Sequence, residues 1–330
     1  MGEVFYTVTA LFAVSFVLTV LLARWLIPLL RRRRAGQPIL EIGPAWHLSK
    51  AGTPTLGGLA FIGGIAVSAT LGTVFFCIRG EAAAMRPLAL VLTYALLCGA
   101  IGLFDDLQKL SKRQNQGLSA AQKYCLQLAV SALLLFAARA WLGVDTALRL
   151  PFGDGVLELG FFYYPFALLY LTGLVNAANL TDGVDGLLSA TVAVVAAFFL
   201  LWGAAEGREY VMLIGGVLLG GALGFLCFNA HPAKVFMGDT GSLFLGGALS
   251  AVGLLTEHPL LVLLSCGVFV IEAFSVIAQV LCFKISHGKR LLRMAPLHHH
   301  LEKCGWSEWR VVAVFAAASL VFCALAFLGR

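Results

Sequence analysis

Residues 5–30 read FYTVTALFAVSFVLTVLLARWLIPLL and carry one charged side chain, that of Arg24. A helix that crosses the hydrocarbon core of a bilayer needs about 20 consecutive, mostly apolar residues. This stretch is long enough to do so. It is also longer than the apolar core of a signal peptide and has no basic segment before it, so we expect it to remain as the first membrane span.

The rest of the chain has the same apolar character. Of its 330 residues, 60% are hydrophobic and 12% are charged, whereas soluble domains are about half apolar and a quarter charged. This composition excludes a disordered chain, a disulfide scaffold and a soluble enzyme. The eight cysteines are scattered and form no Cys-x-x-Cys pair, so they indicate neither a zinc site nor a redox motif.

Apolar runs recur along the chain and predict an all-α polytopic membrane protein, with residues 1–330 as a single integral membrane domain. Ten runs can be placed, near residues 5–30, 54–78, 87–104, 118–142, 160–180, 186–204, 210–228, 241–256, 260–283 and 310–328. Residues 144–159 instead alternate apolar and polar side chains around Gly153-Asp154-Gly155. That pattern predicts a small β-hairpin with a tight turn between the fourth and fifth spans.

The distribution of lysine and arginine predicts the orientation of these spans. The odd-numbered links hold sixteen of these cations, and the even-numbered links together with the C-terminus hold five. Basic links stay in the cytoplasm. We therefore expect the odd-numbered links to be cytoplasmic, and both termini and the hairpin to lie outside.

The seven aspartates are distributed unevenly. Two lie in the predicted hairpin, and the other five lie at cytoplasmic span ends: Asp105, Asp106, Asp182, Asp185 and Asp239. Span ends carry polar residues in general, but that would favour Asp and Glu alike. Only three of the ten glutamates lie in cytoplasmic links. The pattern predicts a site on one face of the membrane.

Asp105 and Asp106 end the third span and are followed by Lys109. Adjacent carboxylates repel, so one keeps a raised pKa or both share a cation. Such a pair suits a magnesium-assisted reaction in which one carboxylate is the base. An exposed helix end is the alternative interpretation.

The segment Asn179-Leu-Thr-Asp182-Gly-Val-Asp185-Gly follows the fifth span. On a continuous helix its three polar side chains would lie along one face. Gly183 and Gly186 instead permit a break or the close approach of a ligand.

The segment Phe236-Met-Gly238-Asp239-Thr-Gly-Ser242 opens the eighth span. A helix N-terminus attracts phosphate, and an aspartate there can hold Mg²⁺. Phe236 is placed to stack on a base.

Lys50 to Thr55 enter the second span with Gly57 and Gly58 directly after them. A lysine and two threonines beside glycines suit a phosphate or a nucleotide. Glycines at the start of a span are equally consistent with close helix packing.

Three consecutive histidines, His298 to His300, precede the last span. Consecutive residues on a helix cannot all face one metal, so a phosphate-binding loop is favoured over zinc. Glu272 and Gln279 lie seven residues apart on one face of the ninth span. Gln279 is close to the cytoplasmic end, whereas Glu272 is deep enough to serve in holding helices together.

Taken together, these motifs resemble the phospho-N-acetylmuramoyl-pentapeptide transferase family, within the superfamily of polyprenyl-phosphate sugar-1-phosphate transferases. The matching segments run in order through Gly43–Thr55, Asp105–Lys109, Asn179–Gly186, Asn229–Ser242 and Pro296–His300. The histidines followed by Leu-Glu-Lys-Cys-Gly-Trp306 are more similar to the muramoyl branch than to the N-acetylhexosamine branch.

The resemblance implies a usually dimeric enzyme of the bacterial inner membrane, in contact with membrane lipids and with no nucleic-acid partner. It would transfer phospho-MurNAc-pentapeptide from UDP-MurNAc-pentapeptide to undecaprenyl phosphate, giving lipid I and UMP, with Mg²⁺. Asp105 would deprotonate the lipid phosphate, Asp106 would assist, and Asp239 would bind the metal. The substrate-binding residues carried over are Lys50, Asp185, Asn229 and Phe236 for uracil, Thr55, Asn179, Asp182 and Gly238 for the adjoining pocket, and Gln279, His298, His299 and His300 for the sugar-phosphate side. Lys109 is carried over as substrate-binding without a more specific assignment.

Three alternatives remain. The close one is a UDP-N-acetylhexosamine:polyprenyl-phosphate sugar-1-phosphate transferase. A proton- or ion-coupled transporter would place acids near the bilayer midplane, where Glu272 is almost alone. A membrane scaffold would not need phosphate-type motifs concentrated on one side.

Overall fold

The computed structural model describes residues 2–33, 52–112 and 117–330. Within these ranges the chain forms long helices joined by short links, and ten of its helical segments are long and apolar enough to cross a membrane. The prediction of an all-α polytopic membrane protein is confirmed. The helices are α1 (Gly2–Arg32), α2 (Gly58–Ile78), α3 (Arg86–Lys112), α4 (Ala120–Ala137), α5 (Tyr163–Thr181), α6 (Leu187–Glu206), α7 (Glu209–Asn229), α8 (Gly238–Leu255), α9 (Pro259–Ser265), α10 (Gly267–Ile285), α11 (Leu297–Lys303) and α12 (Glu308–Leu328).

Helix α8 forms the centre of the bundle and packs most extensively against α3. Small residues allow this close approach, as is usual between helices in membranes. A Cβ on Gly102 of α3 would collide with the backbone carbonyl of Asp239 on α8. On the other side of α8, a Cβ on Gly246 would fall 2.7 Å from the Cα of Val175 on α5. These contacts bring the end of α3 and the start of α8 together.

The predicted ninth span is not one continuous helix. Residues 260–283 were expected to form a single helix, but α9 ends at Ser265 and α10 begins at Gly267. The backbone of Cys266 between them has φ −89° and ψ 20°, outside the helical geometry. Gly267 lies against the ring of Phe322 on α12, where a Cβ would fall 2.5 Å from Cδ1. A tertiary contact of this kind leaves no trace in an apolar run.

The predicted hairpin is present. Strands β1 (Ala147–Arg149) and β2 (Val156–Glu158) pair antiparallel, with Leu148 opposite Leu157. Its turn is wider than expected, because Leu150 N donates to Gly155 O at 2.8 Å and residues 151–154 lie between them. The backbone N–H of Phe152 in this turn donates to the carbonyl of Gly329, just after α12.

Different helix ends and links lie at the two ends of the bundle. Near the start of α1, Glu3 pairs with Arg79 at the end of α2, at 2.7 Å, and the hairpin meets the end of α12. At the other end lie the ends of α3, α5 and α7 and the starts of α2, α4, α6, α8 and α12. The start of α1 and the end of α12 are therefore both remote from this second end.

Candidate active site

Three carboxylates surround one lysine where α3 meets α8. Oxygen atoms of Asp105, Asp106 and Asp239 lie within 4.8 Å of one another. The ammonium of Lys109 lies 2.6 Å from Asp105 Oδ2 and 2.8 Å from Asp239 Oδ2, with Asp106 Oδ1 at 3.9 Å. The adjacent acids of α3 thus share a cation, which lowers their mutual repulsion. We call these residues, with Lys123 described next, the acidic cluster.

Lys123 is a member of this cluster that sequence reasoning missed. Its ammonium lies 2.6 Å from Asp239 Oδ2. The Ser119–Gln122 capping box starts α4 immediately before it, and so fixes where the lysine stem leaves the helix. From the sequence, Lys123 is one of the sixteen cations of the odd-numbered links. The available signal was a lysine in the first turn of an apolar run, where an ionised side chain is costly unless it is paired.

The Asp106 carboxylate accepts hydrogen bonds from the first turn of α8. The donors are the backbone N–H of Asp239 at 3.2 Å, and the N–H and hydroxyl of Thr240 at 2.9 and 2.7 Å. A negative charge at a helix N-terminus satisfies free N–H groups and stabilises the helix. Asp105 is bound elsewhere, since its Oδ1 accepts from the N–H of Leu118 at 2.8 Å. Asp106 therefore determines where Asp239 lies.

Asn179 reaches the cluster from the end of α5. Its amide donates to Asp239 Oδ1 at 2.9 Å and to Ser242 Oγ at 2.8 Å. Of the two alternatives for Asn179, Asp182 and Asp185, a shared helix face or a break, the structure has the break, because α5 ends at Thr181. The break lies between Thr181 and Leu187, and Gly186 within it has φ +79°, which glycine adopts without strain. The chain therefore leaves the helix before Asp182 and does not continue it through Asp185.

Asp182, the first residue after α5, is half-buried. Burial, followed by repulsion from Asp239, Asp106 and Asp185, raises the pKa of Asp182 well above its usual range. A carboxyl group in this position favours a cation beside it or its own protonated form.

Thr55 and Gly238 line the cluster from a paired backbone segment. The N–H of Phe236 donates to Pro54 O, and the N–H of Gly57 donates to Phe236 O, both at 2.9 Å. Thr55 is buried in the extended segment before α2 rather than on the helix. Gly238 has φ +72°, and a Cβ there would fall 2.5 Å from Asp106 Oδ2 and 2.8 Å from Thr55 Oγ1. Only glycine fits this position without strain. Lys50, predicted beside this segment, lies outside the described residues.

A second cluster forms around Asp185, which is buried. The Nδ1 atom of His231 lies 3.2 Å from Asp185 Oδ2 and 3.4 Å from Glu308 Oε1. The N–H of Ala233 also donates to Asp185 Oδ2 at 2.9 Å. His231 and Glu308 were not among the predicted site residues. They come from the α7–α8 link and the start of α12, which only the folded chain brings together.

Asn229 holds the link that ends at Phe236. Its Oδ1 accepts from the N–H of Gly186 at 3.2 Å and from Ser189 Oγ at 3.0 Å, and its amide donates to Val235 O at 3.1 Å. Phe236 is half-buried at the end of this link. The predicted uracil residues Asp185, Asn229 and Phe236 are therefore neighbours in one structural unit, in which Asn229 shapes the backbone.

The three histidines have different partners. His298 is fully buried: its N–H donates to Glu272 Oε1 at 3.1 Å, and its Nδ1 lies 3.2 Å from Glu272 Oε2. On its other side the imidazole lies against Gly183, where a Cβ would collide with it. His299 Nδ1 lies 2.7 Å from Glu302 Oε2, and His300 Nδ1 accepts from the N–H of Arg293 at 3.1 Å.

Gln279 supports the segment that leads to these histidines. Its Oε1 accepts from the N–H of Leu292 at 2.8 Å. Gln279 and His300 thus bind the residues 292–293 directly. The contact between the His298 ring and Gly183 connects this segment to the turn between Asp182 and Asp185.

The acidic cluster fits a hard divalent cation. Its donors are carboxylate oxygens, which Mg²⁺ prefers, and an ammonium ion already lies among them. The side chain of Asp239 is 18% exposed, against 3% for Asp105 and 0% for Asp106. Asp239 is therefore the carboxylate best placed to exchange a lysine contact for a metal contact.

Comparison with known proteins agrees with this arrangement. Residues 87–257 match the family described as Glycosyl transferase family 4. Over 315 residues the chain is 42% identical to the phospho-N-acetylmuramoyl-pentapeptide-transferase of Clostridium perfringens strain 13, covering 95% of this chain and 96% of the relative. Over 313 residues it is 44% and 45% identical to the proteins of that name from Geobacillus thermodenitrificans and Geobacillus kaustophilus, covering 95% of this chain and 94% of each relative. The matches extend over nearly the whole of each protein.

Proposed function

The chain belongs to the phospho-N-acetylmuramoyl-pentapeptide-transferase family. We propose that it transfers phospho-MurNAc-pentapeptide to a lipid phosphate and that the reaction takes place at the acidic cluster. The chain is a multi-pass membrane transferase of peptidoglycan synthesis. Its donor is UDP-MurNAc-pentapeptide and its acceptor is undecaprenyl phosphate, and the products are lipid I and UMP.

The observation that supports the cluster as the reaction centre is the convergence of four helices on one carboxylate. Asp239 of α8 is contacted by Lys109 of α3, Lys123 of α4 and Asn179 of α5. Polar residues are common at span ends, but here lysines from two different helices share one carboxylate oxygen, Asp239 Oδ2. Two ammonium groups side by side are the feature expected for a diphosphate substrate.

The reaction is a phosphoryl transfer. A lipid phosphate oxygen attacks the β-phosphorus of the donor, the P–O bond to the α-phosphate breaks, and UMP leaves with that oxygen. The nucleophile is already anionic, so the protein has to align two anions and stabilise the charge that develops on the oxygens. Lys109 and Lys123 are the groups placed to do so.

The three carboxylates divide the remaining work. Asp239, the most exposed, would hold Mg²⁺, which supplies charge neutralisation on the diphosphate when it is bound. Asp105 would accept a proton from a lipid phosphate that arrives protonated. Asp106 would assist by holding the start of α8, since both of its oxygens accept bonds from that helix.

The surrounding residues would bind the rest of the donor. Uracil would be held by the unit around Asp185, with Phe236 stacking on the base and Asn229 shaping the link. Thr55, Asp182 and Gly238 would line the passage from this unit to the acidic cluster. The remaining residues proposed to contact substrate are Lys50 on the uracil side, and Gln279, His299 and His300 on the sugar-phosphate side. His298, which is fully buried, would act on the sugar-phosphate side by holding the turn at Gly183.

We extend the proposal to the whole chain. Residues 1–330 would form one catalytic domain of the bacterial inner membrane, with the acidic cluster on the cytoplasmic side and both termini outside. The excess of lysine and arginine in the odd-numbered links supports this orientation. The homodimer stays a prediction, tested by the mass of the detergent-solubilised protein.

The experiment compares two donors. Purified protein is supplied with undecaprenyl phosphate, Mg²⁺ and either UDP-MurNAc-pentapeptide or UDP-GlcNAc, and UMP is measured. We expect UMP from the first donor alone, and none when undecaprenyl phosphate is omitted. Release only with UDP-GlcNAc would move the chain to the hexosamine branch, and release with neither would contradict the proposal.

A further inference from the structure

We infer that Gln127 and Asn176 form a positioning pair, which clamps α4 to α5 and thereby holds Lys123 and Asn179 on Asp239. The pair lies one helical turn further into the bundle than the acidic cluster. The inference rests on the proposed function of that cluster and adds two residues that none of the sequence motifs contains.

The two amides bond to each other in both directions. Asn176 Nδ2 donates to Gln127 Oε1 at 2.6 Å, and Gln127 Nε2 donates to Asn176 Oδ1 at 3.5 Å. Asn176 Nδ2 also donates to Thr172 O on its own helix, at 2.8 Å. Gln127 is 1% exposed. Inside a membrane protein such amides need partners, and an interhelical pair fixes one helix against the other.

The register of the two helices connects this pair to the cluster. Gln127 follows Lys123 by four residues on α4, and Asn176 precedes Asn179 by three on α5, so each pair shares one helix face. Lys123 and Asn179 contact opposite oxygens of the same carboxylate, Oδ2 at 2.6 Å and Oδ1 at 2.9 Å. The contacts form a closed ring from Asp239 through α4, across the amides, and back through α5.

Helix α4 needs such a clamp. Only 28% of its most apolar window is buried inside the protein, whereas the central α8 window is 89% buried. A helix with so small a buried share has few packing contacts within the chain to fix its rotation, and the ammonium of Lys123 is at the end of a long flexible side chain. Misplacing a catalytic group by about 1 Å can cost about 100-fold in rate. The amide pair fixes α4 against α5 one helical turn from Lys123 and Asn179.

The variants are Gln127→Leu, Asn176→Leu and the double variant. Loss of partners that orient ligand groups typically costs about 10- to 100-fold, and we expect a fall of that size in kcat with little change in KM for the nucleotide donor. The double variant should lose no more than either single variant, because both remove the same contact. The exchanged pair Gln127→Asn with Asn176→Gln should recover part of the activity.

The matched control is Tyr94→Phe. The Tyr94 hydroxyl bonds to Ser131 Oγ at 2.9 Å, one turn further along α4 from Gln127, and ties α4 to α3 rather than to α5. This variant removes a buried hydrogen bond from the same helix without touching the ring of contacts. It should change the thermal midpoint as Gln127→Leu does, and leave kcat close to that of the wild type.

A second readout is independent of turnover. Lysine side chains of the purified protein are labelled with an amine-reactive reagent, and modification of Lys123 is quantified by mass spectrometry. We expect Gln127→Leu to label several times faster at Lys123 than the wild type or Tyr94→Phe, because the ammonium is released from Asp239. Unchanged labelling, or kcat equal to that of Tyr94→Phe, would overturn the inference. If Lys123 is labelled faster in Gln127→Leu but the wild type itself releases no UMP, the result would support the clamp and count against the proposed function.

Discussion

Replacing Asp239 by Asn tests the acidic cluster most sharply. The change keeps the size of the side chain and its bond with the Asn179 amide, but removes the charge that pairs with Lys109 at 2.8 Å and Lys123 at 2.6 Å. In the wild-type cluster three carboxylates face these two ammonium groups. The variant therefore loses the most exposed anionic oxygen available to a metal and leaves most of the packing unchanged.

The effects on rate and on stability should differ. Removing one preorganised charge-stabilising group from an active site costs about 100- to 1,000-fold in kcat, or about 3–4 kcal/mol. The lysines are 16% and 17% exposed and can recruit water. The loss of stability should therefore be about 1–2 kcal/mol, between the values for surface and buried ion pairs.

The assay measures UMP release from UDP-MurNAc-pentapeptide with undecaprenyl phosphate over a range of Mg²⁺ concentrations, beside the thermal unfolding of each protein. The matched control is Asp154→Asn, the same chemical change at the exposed turn of the hairpin, which should leave activity unaltered. Activity of Asp239→Asn within about threefold of wild type across the magnesium range would refute the role given to this carboxylate.

Three further substitutions have defined outcomes. Lys123→Gln should lower kcat about 100-fold while the chain still folds, measured by the same UMP assay. Gly238→Ala should cost about 1–3 kcal/mol in the free energy of unfolding, because its backbone is left-handed and a Cβ would meet Asp106; Gly153→Ala, where a Cβ meets nothing within 4 Å, is the control. Because the pKa of Asp182 is raised on folding, the metal-free protein should lose stability as pH rises from the ordinary Asp value, about 4, through that raised pKa. Asp182→Asn should remove this part of the pH dependence of the thermal midpoint.

Local sequence patterns were sufficient for the spans and for the hairpin. Run length alone distinguishes a membrane helix, and alternation around Gly153-Asp154-Gly155 distinguishes the paired strands. The break at Cys266 was not predicted in this way, since the apolar run continues through it without Pro or a charged residue. The end of α5 at Thr181 was one of two open alternatives, because Asp-Gly steps are compatible with both.

Part of the acidic cluster could be predicted from the sequence. Aspartates at span ends on one side predict their own convergence, whichever helices carry them. Lys123 looked like any orienting cation, and its partner on α8 is 116 residues away in sequence. His231 lies in the matched segment Asn229–Ser242 but had no assigned role, and Glu308 lies outside every matched segment. The commitment of Asp106 to the start of α8 likewise depends on the packing of α3 against α8, which no local pattern contains.

The chain is expected to move a sugar phosphate rather than a sugar, and one isotopic measurement tests this directly. The donor UDP-MurNAc-pentapeptide is labelled with ³²P in its β-phosphate and incubated with the protein, undecaprenyl phosphate and Mg²⁺. Attack at the β-phosphorus predicts that the label passes into the lipid fraction and that UMP is released unlabelled. Label recovered in released UDP would show cleavage at the sugar carbon instead, and would contradict the account.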